Sequence, residues 1–370
     1  MTHGSEETGV KHERVVEYLE GHGLDGVLLS RRCNFSWYTC GAHNYVGVAC
    51  DVGNSSLLVT REGTTVFANN IEATRLWGEE LADSGFDRTV CPYHEPGAYR
   101  ELIRTTVGSR RVAADALLPG VELPPLPGDF GRLRSVLTPW EVERYRMLCD
   151  DTVAAVEGVA RAAEPGLTEQ ELAGRLALEL RRRDCVCWTL LVGADDRVLL
   201  HRHPLPTLAR AERGFMLVAG AERRGLIASF TRLACFGPVP QELVGRAHAC
   251  ATVNAALVSS TRPGATLGDT FAQAQAAYAE VGFPEEWRHH HQGGSCGYLP
   301  RETKAAPGER TQALAGQAFA SNPSIAGTKC EDTILCTEAG PEPLARPTDW
   351  PVIEAGWRGH AVPAAGIVGL

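Results

Sequence analysis

Hydrophobic and polar positions divide the first part of the chain into short alternating segments. Over residues 11–22, Val15, Val16 and Leu19 recur on one side of a helical repeat, with charged neighbours and a terminal glycine, which predicts an amphipathic helix. The apolar run 26–30 predicts a buried strand, and 47–50, 55–60 and 64–69 predict further strands separated by turn residues. A helix over 71–85 and a strand over 111–115 complete an α/β pattern. The Pro- and Gly-rich stretch 118–132 reads as a connection between domains. Beyond it the local signals sharpen. Thr138 as N-cap, Pro139 at the first helical position and Glu141 three residues after the cap predict a helix running to about Ala162. Thr168 and Glu171 repeat the device, for a helix ending near Asp184. Strands at 188–192, 215–220 and 225–236 follow, then helices over 241–260 and 268–281. PGLT (165–168) and PGAT (263–266) each introduce a helix, a weak hint of internal duplication. Short strands and loops fill 285–370. The expected organisation is two domains, 1–132 and 133–370.

Composition narrows the function classes. The 370 residues are 44% hydrophobic and 22% charged, which is globular composition and excludes disordered and fibrous classes. Thirty-six Lys+Arg against 45 Asp+Glu leave a net charge of −9, so nucleic acid is not the expected partner. No run reaches the length of a membrane span, and the N-terminal stretch is polar and mixed in charge, so neither an anchor nor a signal peptide is expected. The chain is therefore expected in the cytoplasm. Its twelve cysteines then read as thiols. The one close pair, Cys185 and Cys187, would share a face in a strand; burial or a metal would each account for it.

Three segments concentrate reactive side chains. Residues 287–302 (WRHHHQGGSCGYLPRE) hold three adjacent histidines, and in a strand His289 and His291 share one side and His290 the other. Glycines 293, 294 and 297 there allow close approach of backbone or ligand. In LHRHPLPT (200–207), His203 lies beside prolines that stiffen the loop, and a fixed imidazole is a natural general base. In SNPSIAGTKCEDTILCT (321–337), Glu331 falls in a strand-like run with Asp332 on the opposite face. Facing inward, Glu331 must be paired, metal-bound or catalytic.

In this order the motifs resemble the creatinase, aminopeptidase P and prolidase family. NFSWYTCG (34–41), PGLTEQEL, HPLPT and KCEDTILCT carry the resemblance, Lys329 standing where the family has arginine. It implies a small N-terminal α/β domain followed by a pita-bread catalytic domain. It also implies two divalent ions held by two aspartates, a histidine and two glutamates. Here Val218 and Ser229 stand at the aspartate positions, Gly294 at the histidine and Asn322 at the first glutamate; only Glu331 is kept. Hard divalent ions need several oxygen or nitrogen ligands, so neither metal nor other cofactor is expected. Creatinase supplies the metal-free precedent. By that resemblance His203 is the expected base, with His290 and Glu331 as its catalytic companions, Glu331 pairing with a cationic group. His291, Gln292, Asn322, Arg232 and Glu302 are the expected substrate contacts; Arg232 equally suits a structural ion pair. The resemblance further implies a homodimer in which the N-terminal domain, through Arg32, Asn34, Trp37 and the loop 41–47, reaches the partner's site; Trp37 equally suits a core position. The leading expectation is metal-independent hydrolysis of a C–N bond (amidine, guanidine or amide) in a small amino-acid-derived molecule. The alternatives are a metal-dependent Xaa-Pro dipeptidase or aminopeptidase, and a non-catalytic binding relative.

Overall fold

A computed structural model describes residues 3–370 and divides the chain into two compact units at Arg134/Ser135. Met1 and Thr2, at the start of the polar N-terminal stretch, lie outside the described residues. No helix among the described residues is long and apolar enough to cross a membrane.

The first unit is built on one five-stranded sheet. Helix α1 (His3–His22) extends the expected amphipathic segment and leads into β1 (Gly26–Arg31), α2 (Arg32–Tyr38), β2 (Val52–Thr60) and β3 (Thr64–Asn69). A short helix α3 (Ala73–Arg75) runs into a π-helical turn ending at Glu80, then come β4 (Asp87–Cys91), α4 (Ala98–Val107) and β5 (Val112–Ala114). The sheet order is β4-β3-β2-β1-β5, with β1/β5 and β3/β4 parallel and the other pairs antiparallel. Leu28, Leu58 and Phe67 from the sheet pack on Ile103 and Val107 of α4. Three expectations are corrected here. Residues 47–50 are turn and coil, with Val48 half exposed, because the apolar run there has no partner strand. The helix over 71–85 stops at Glu80, and β4 and α4 were unanticipated. The stretch 118–132 is not a free connection: Ala114 exchanges backbone hydrogen bonds with Pro124 and Leu126, and Phe130 is buried in the unit.

The second unit carries the stronger local signals. Helix α5 (Pro139–Arg161) and helix α6 (Glu169–Arg181) both open with the reciprocal capping box that the sequence announces at Thr138/Glu141 and Thr168/Glu171. Strands β6 (Val186–Ala194), β7 (Gly214–Arg223) and β8 (Leu226–Cys235) form an antiparallel meander, with the short helix α7 (Asp196–Leu200) after β6. The β7–β8 hairpin turns on Arg224 and Gly225, both at positive φ (50° and 82°), as a two-residue turn between twisted strands requires. Helices α8 (Gln241–Ser260) and α9 (Leu267–Glu280) follow. A second sheet then collects β9 (Gly293–Cys296), β10 (Thr303–Lys304), β11 (Ala318–Ser321), β14 (Thr333–Thr337) and β15 (Gly340–Pro343) in the order β10-β9-β11-β14-β15. Two small ladders, β12 (Ser324–Ile325) with β13 (Thr328–Lys329) and β16 (Val352–Trp357) with β17 (His360–Ala365), sit outside it. The last strand, β18 (Ile367–Gly369), returns to pair in parallel with β8. Cys250, Val253 and Leu257 of α8 and Ala274, Ala277 and Tyr278 of α9 pack with Ile325 and Trp357 into an apolar cluster of this unit.

Candidate active site

Strand alternation decides what faces the cavity in the second unit. In the β7–β8 pair Val218 lies opposite Thr231 and Gly220 opposite Ser229, so these four share one face. Thr231 Oγ1 donates to Glu331 Oε2 at 2.9 Å, and Val218, Gly220 and Ser229 line a cavity of about 510 Å³ together with Glu331. Thr189, Leu191, Ala219 and Pro300 add to its wall, and His203, His291, Arg301, Lys304, Asn322 and Lys329 bring the polar groups.

Glu331 is 4% exposed and held on both oxygens. Arg301 Nη2 donates to Oε1 at 2.8 Å, and Lys329 Nζ lies 2.8 Å from Oε2. Burial pushes this carboxyl up, but Lys329 and Arg301 together more than reverse it, leaving it at about 2. Arg301 also reaches Ser229 Oγ at 3.4 Å.

The histidines come from two segments. The loop carrying His203 is tied down twice. Buried Glu169 at the start of α6 accepts from Ala194 N and Arg197 Nε on Oε1, and from Thr207 N and Oγ1 on Oε2, at 2.7–2.8 Å. On the other side Arg202 pairs with Glu286 of the histidine-bearing segment. Gly193 lets the loop lie flat on β6, since a Cβ there would stand 2.8 Å from Pro204. His290 is buried; its Nδ1 lies 3.0 Å from Asn322 O and its Nε2 3.0 Å from His203 Nε2. His291 stacks on His290 with ring centres 4.6 Å apart. Burial, reinforced by Lys329, pushes His290 down to about 2; burial, reinforced by Arg301, pushes His291 down to about 3. His203 is lowered for the same reasons, burial first and then Lys329, but is more open to solvent. A neutral His290 facing a backbone carbonyl carries its proton on Nδ1 and presents a lone pair at Nε2. His203 Nε2–H therefore donates to it, leaving Nδ1 of His203 as its basic atom.

The structure thus brings His203, His290, His291, Asn322 and Glu331 together, and leaves four expected contacts elsewhere. Arg232 faces away from the cavity because it follows Thr231 on β8; its guanidinium pairs with Glu157 and Asp332 at 2.8 Å each, and no charge remains for a substrate carboxylate. Gln292 is buried behind the histidines, its Nε2 donating to His290 O at 2.6 Å and its Oε1 accepting from Tyr278 at 3.0 Å. Glu302 turns back to accept from Leu299 N at 3.1 Å and does not line the cavity. Trp37 is fully buried in the first unit, packed edge-on against Phe130. Arg301, Lys304 and Lys329 line the cavity but were not assigned to the site by the sequence reading. Cys185 is fully buried just before β6, and burial raises its thiol and that of Cys187. Among the described residues neither joins a metal-ligating group.

Residues 143–338, just over half of the chain, match the model of metallopeptidase family M24. The chain belongs to that family. Its pita-bread fold is shared with the prolidase from Pyrococcus horikoshii OT3 at 17% identity and a TM-score of 0.76, covering 91% of this chain and 98% of that one. The dipeptidase PepE from Mycobacterium ulcerans matches at 18% identity and a TM-score of 0.74, over 93% of this chain and 97% of that one. The N-terminal domain of FACT complex subunit SPT16 from chickpea (Cicer arietinum) has the same fold at 12% identity and a TM-score of 0.67, covering 91% and 96%. No curated protein sequence matches the chain.

The family's name implies metal, and the side chains in this M24 cavity do not fit a pair of divalent ions. Among the described residues Glu331 is the one carboxylate lining it, and both its oxygens are already neutralised. At Gly294 no ligating side chain has room: φ is +148° and a Cβ would stand 2.0 Å from Thr303 O. The ring nitrogens of His203, His290 and His291 do lie within 4.8 Å of one another, the one such group of potential ligands among the described residues. By count they suit a single imidazole-preferring ion. The positive charges of Lys329 and Arg301, which already bear on these rings, oppose one.

Proposed function

We propose that this M24 protein hydrolyses a C–N bond in a small amino-acid-derived molecule without the paired metal ions its family's name implies. The observation that carries the reading is the double clamp on Glu331: two protein cations sit on the cavity's carboxylate, where a hydrolase of the two-ion type needs free anionic ligands. His203 Nδ1 takes the proton from the attacking water, while His290, held neutral by burial and oriented by Asn322 O, fixes the tautomer. The net positive field of Arg301 and Lys329 at the cavity wall stabilises the oxyanion as the tetrahedral intermediate forms. Protonated His203 then hands its proton to the leaving nitrogen. Because Glu331 is saturated by the protein's own cations, it is not available to bind a guanidinium, and an amide is favoured over creatine-like substrates.

A second reading has one observation in its favour: the convergence of the three histidines would admit a single ion and a metal-dependent Xaa-Pro dipeptidase, in keeping with the structurally similar prolidase and dipeptidase. The test is turnover of a panel of N-acyl amino acids, amidines and Xaa-Pro dipeptides in metal-depleted buffer, with His203→Ala alongside. The expected outcome is activity without added metal and a loss of about 10²–10⁴ in kcat for the variant. Activity that appears only with added metal, or a variant that turns over normally, would overturn the proposal.

A further inference from the structure

The charge balance of the cavity is lopsided. Arg301, Lys304 and Lys329 line it against a single carboxylate, and the nearby imidazoles are neutral. Lys329 and one edge of Arg301 are spent on Glu331. Lys304, on β10 and exposed to solvent, has no acidic partner among the described residues. Two further polar groups are unanswered. Arg301 Nε is buried without a hydrogen-bond partner, and so is Oδ1 of the Asn322 amide. A buried polar group without a partner costs about 1–3 kcal/mol, so such atoms mark where a ligand is complementary. The remaining wall mixes the apolar Leu191, Val218, Ala219 and Pro300 with the hydroxyl-bearing Thr189 and Ser229.

Resting on the hydrolase reading above, we infer that the substrate is an N-acyl amino acid with a free carboxylate and no free ammonium group. The carboxylate docks on Lys304, with Arg301 Nε as second donor; the amide meets the unpartnered end of Asn322, and the apolar part lies on Leu191, Val218 and Pro300. A free amine is excluded because the one cavity carboxylate is saturated and two positive charges remain uncompensated. A charged carboxylate accepting from Lys304 forms the stronger, charge-assisted kind of hydrogen bond. In the reaction water adds to the acyl carbon, the C–N bond breaks, and the products are a free carboxylic acid and the amino acid.

The experiment is equilibrium binding by calorimetry, with three matched probes for each of glycine, alanine, leucine, phenylalanine and proline: the N-acetyl amino acid, its methylamide, and the glycyl dipeptide. The glycyl dipeptide differs from the acetyl compound essentially by an ammonium group. His203→Ala serves as the protein, so that nothing is consumed, with wild type alongside. At least one N-acetyl acid is expected to bind about tenfold more tightly than both its methylamide and its glycyl counterpart. Lys304→Gln should erase most of that preference, and Lys304→Glu should reverse it between acid and methylamide, with circular dichroism unchanged because Lys304 is exposed. If no N-acetyl acid outbinds its methylamide, or if Lys304→Glu keeps the preference, the inference is overturned. Binding is read separately from turnover. An acid preference with no hydrolysis by the wild type would sink the hydrolase reading and leave the substrate-class inference standing; hydrolysis of dipeptides in preference to N-acetyl acids would do the reverse.

Discussion

Replacing Glu331 by glutamine keeps the shape of the side chain and removes one buried negative charge. The structure shows what is left behind: Lys329, 4% exposed, and Arg301, whose side chain is 9% exposed, each previously 2.8 Å from a carboxylate oxygen. At an effective dielectric of about 20, each contact at that distance has a gross Coulomb energy of about 6 kcal/mol. Relaxation and water entry reduce this, and removal of one partner from a buried pair typically costs about 3–5 kcal/mol. Glu331→Gln is therefore expected to destabilise the protein by about 3–5 kcal/mol. The assay is urea unfolding followed by tryptophan fluorescence, to which Trp140, Trp188, Trp287, Trp350 and Trp357 of the second unit contribute. A slope of about 3 kcal/mol per molar converts the loss to a midpoint shift of about 1–1.7 M. The double variant Lys329→Met/Glu331→Gln should regain at least about 1 kcal/mol of it, because the stranded lysine is gone. A shift below about 0.3 M, with no recovery in the double variant, would refute the charge-clamp argument.

Two further outcomes follow from the same site. His290 and His291 are neutral in the fold, at about 2 and about 3, whereas unfolded histidine takes up a proton near 6.5; the unfolded chain therefore binds more protons between those values, and stability falls as pH drops below about 6.5. Each histidine contributes up to about 1.4 kcal/mol per pH unit, so His291→Asn should flatten the pH dependence of the unfolding midpoint between pH 6 and 4, and an unchanged slope would contradict the assignment. Gly294→Ala should be strongly destabilising, by more than about 3 kcal/mol, because the backbone at φ +148° has Thr303 O only 2.0 Å from where the Cβ would go; a well-folded variant of normal thermal midpoint would show that the strand can move aside.

The contrast between what the sequence disclosed and what it concealed has a physical pattern. Capping boxes at Thr138 and Thr168 are local devices, three residues wide, and both helices start where they indicate. Strands β7 and β8 were equally legible from their apolar runs. Residues 47–50 look apolar in the same way but lie in coil, since a strand also needs a neighbour to pair with. At the site, His203 and Glu331 stood out by residue type, and strand alternation put Asp332 opposite Glu331. The same alternation, applied to Thr231 and Arg232, would have turned Arg232 away from the cavity, where it pairs with Glu157 and Asp332. Arg301 and Lys329 were hidden for a different reason. Arg301 lies 30 positions from Glu331 on another segment, where no spacing rule connects them, and Lys329, two positions away, gains its meaning only from the charge balance the three make together.

Metal content per chain by elemental analysis, as purified and again after incubation with manganese, cobalt and zinc and removal of the excess, separates a metal-free cavity from a metal-loaded one. Well under one ion per chain is expected in every case, with turnover of the panel unaffected by a chelator. Two ions per chain would contradict this outright, and one tightly held ion, lost on His290→Ala, would replace His203 as free base with a metal on the three histidines.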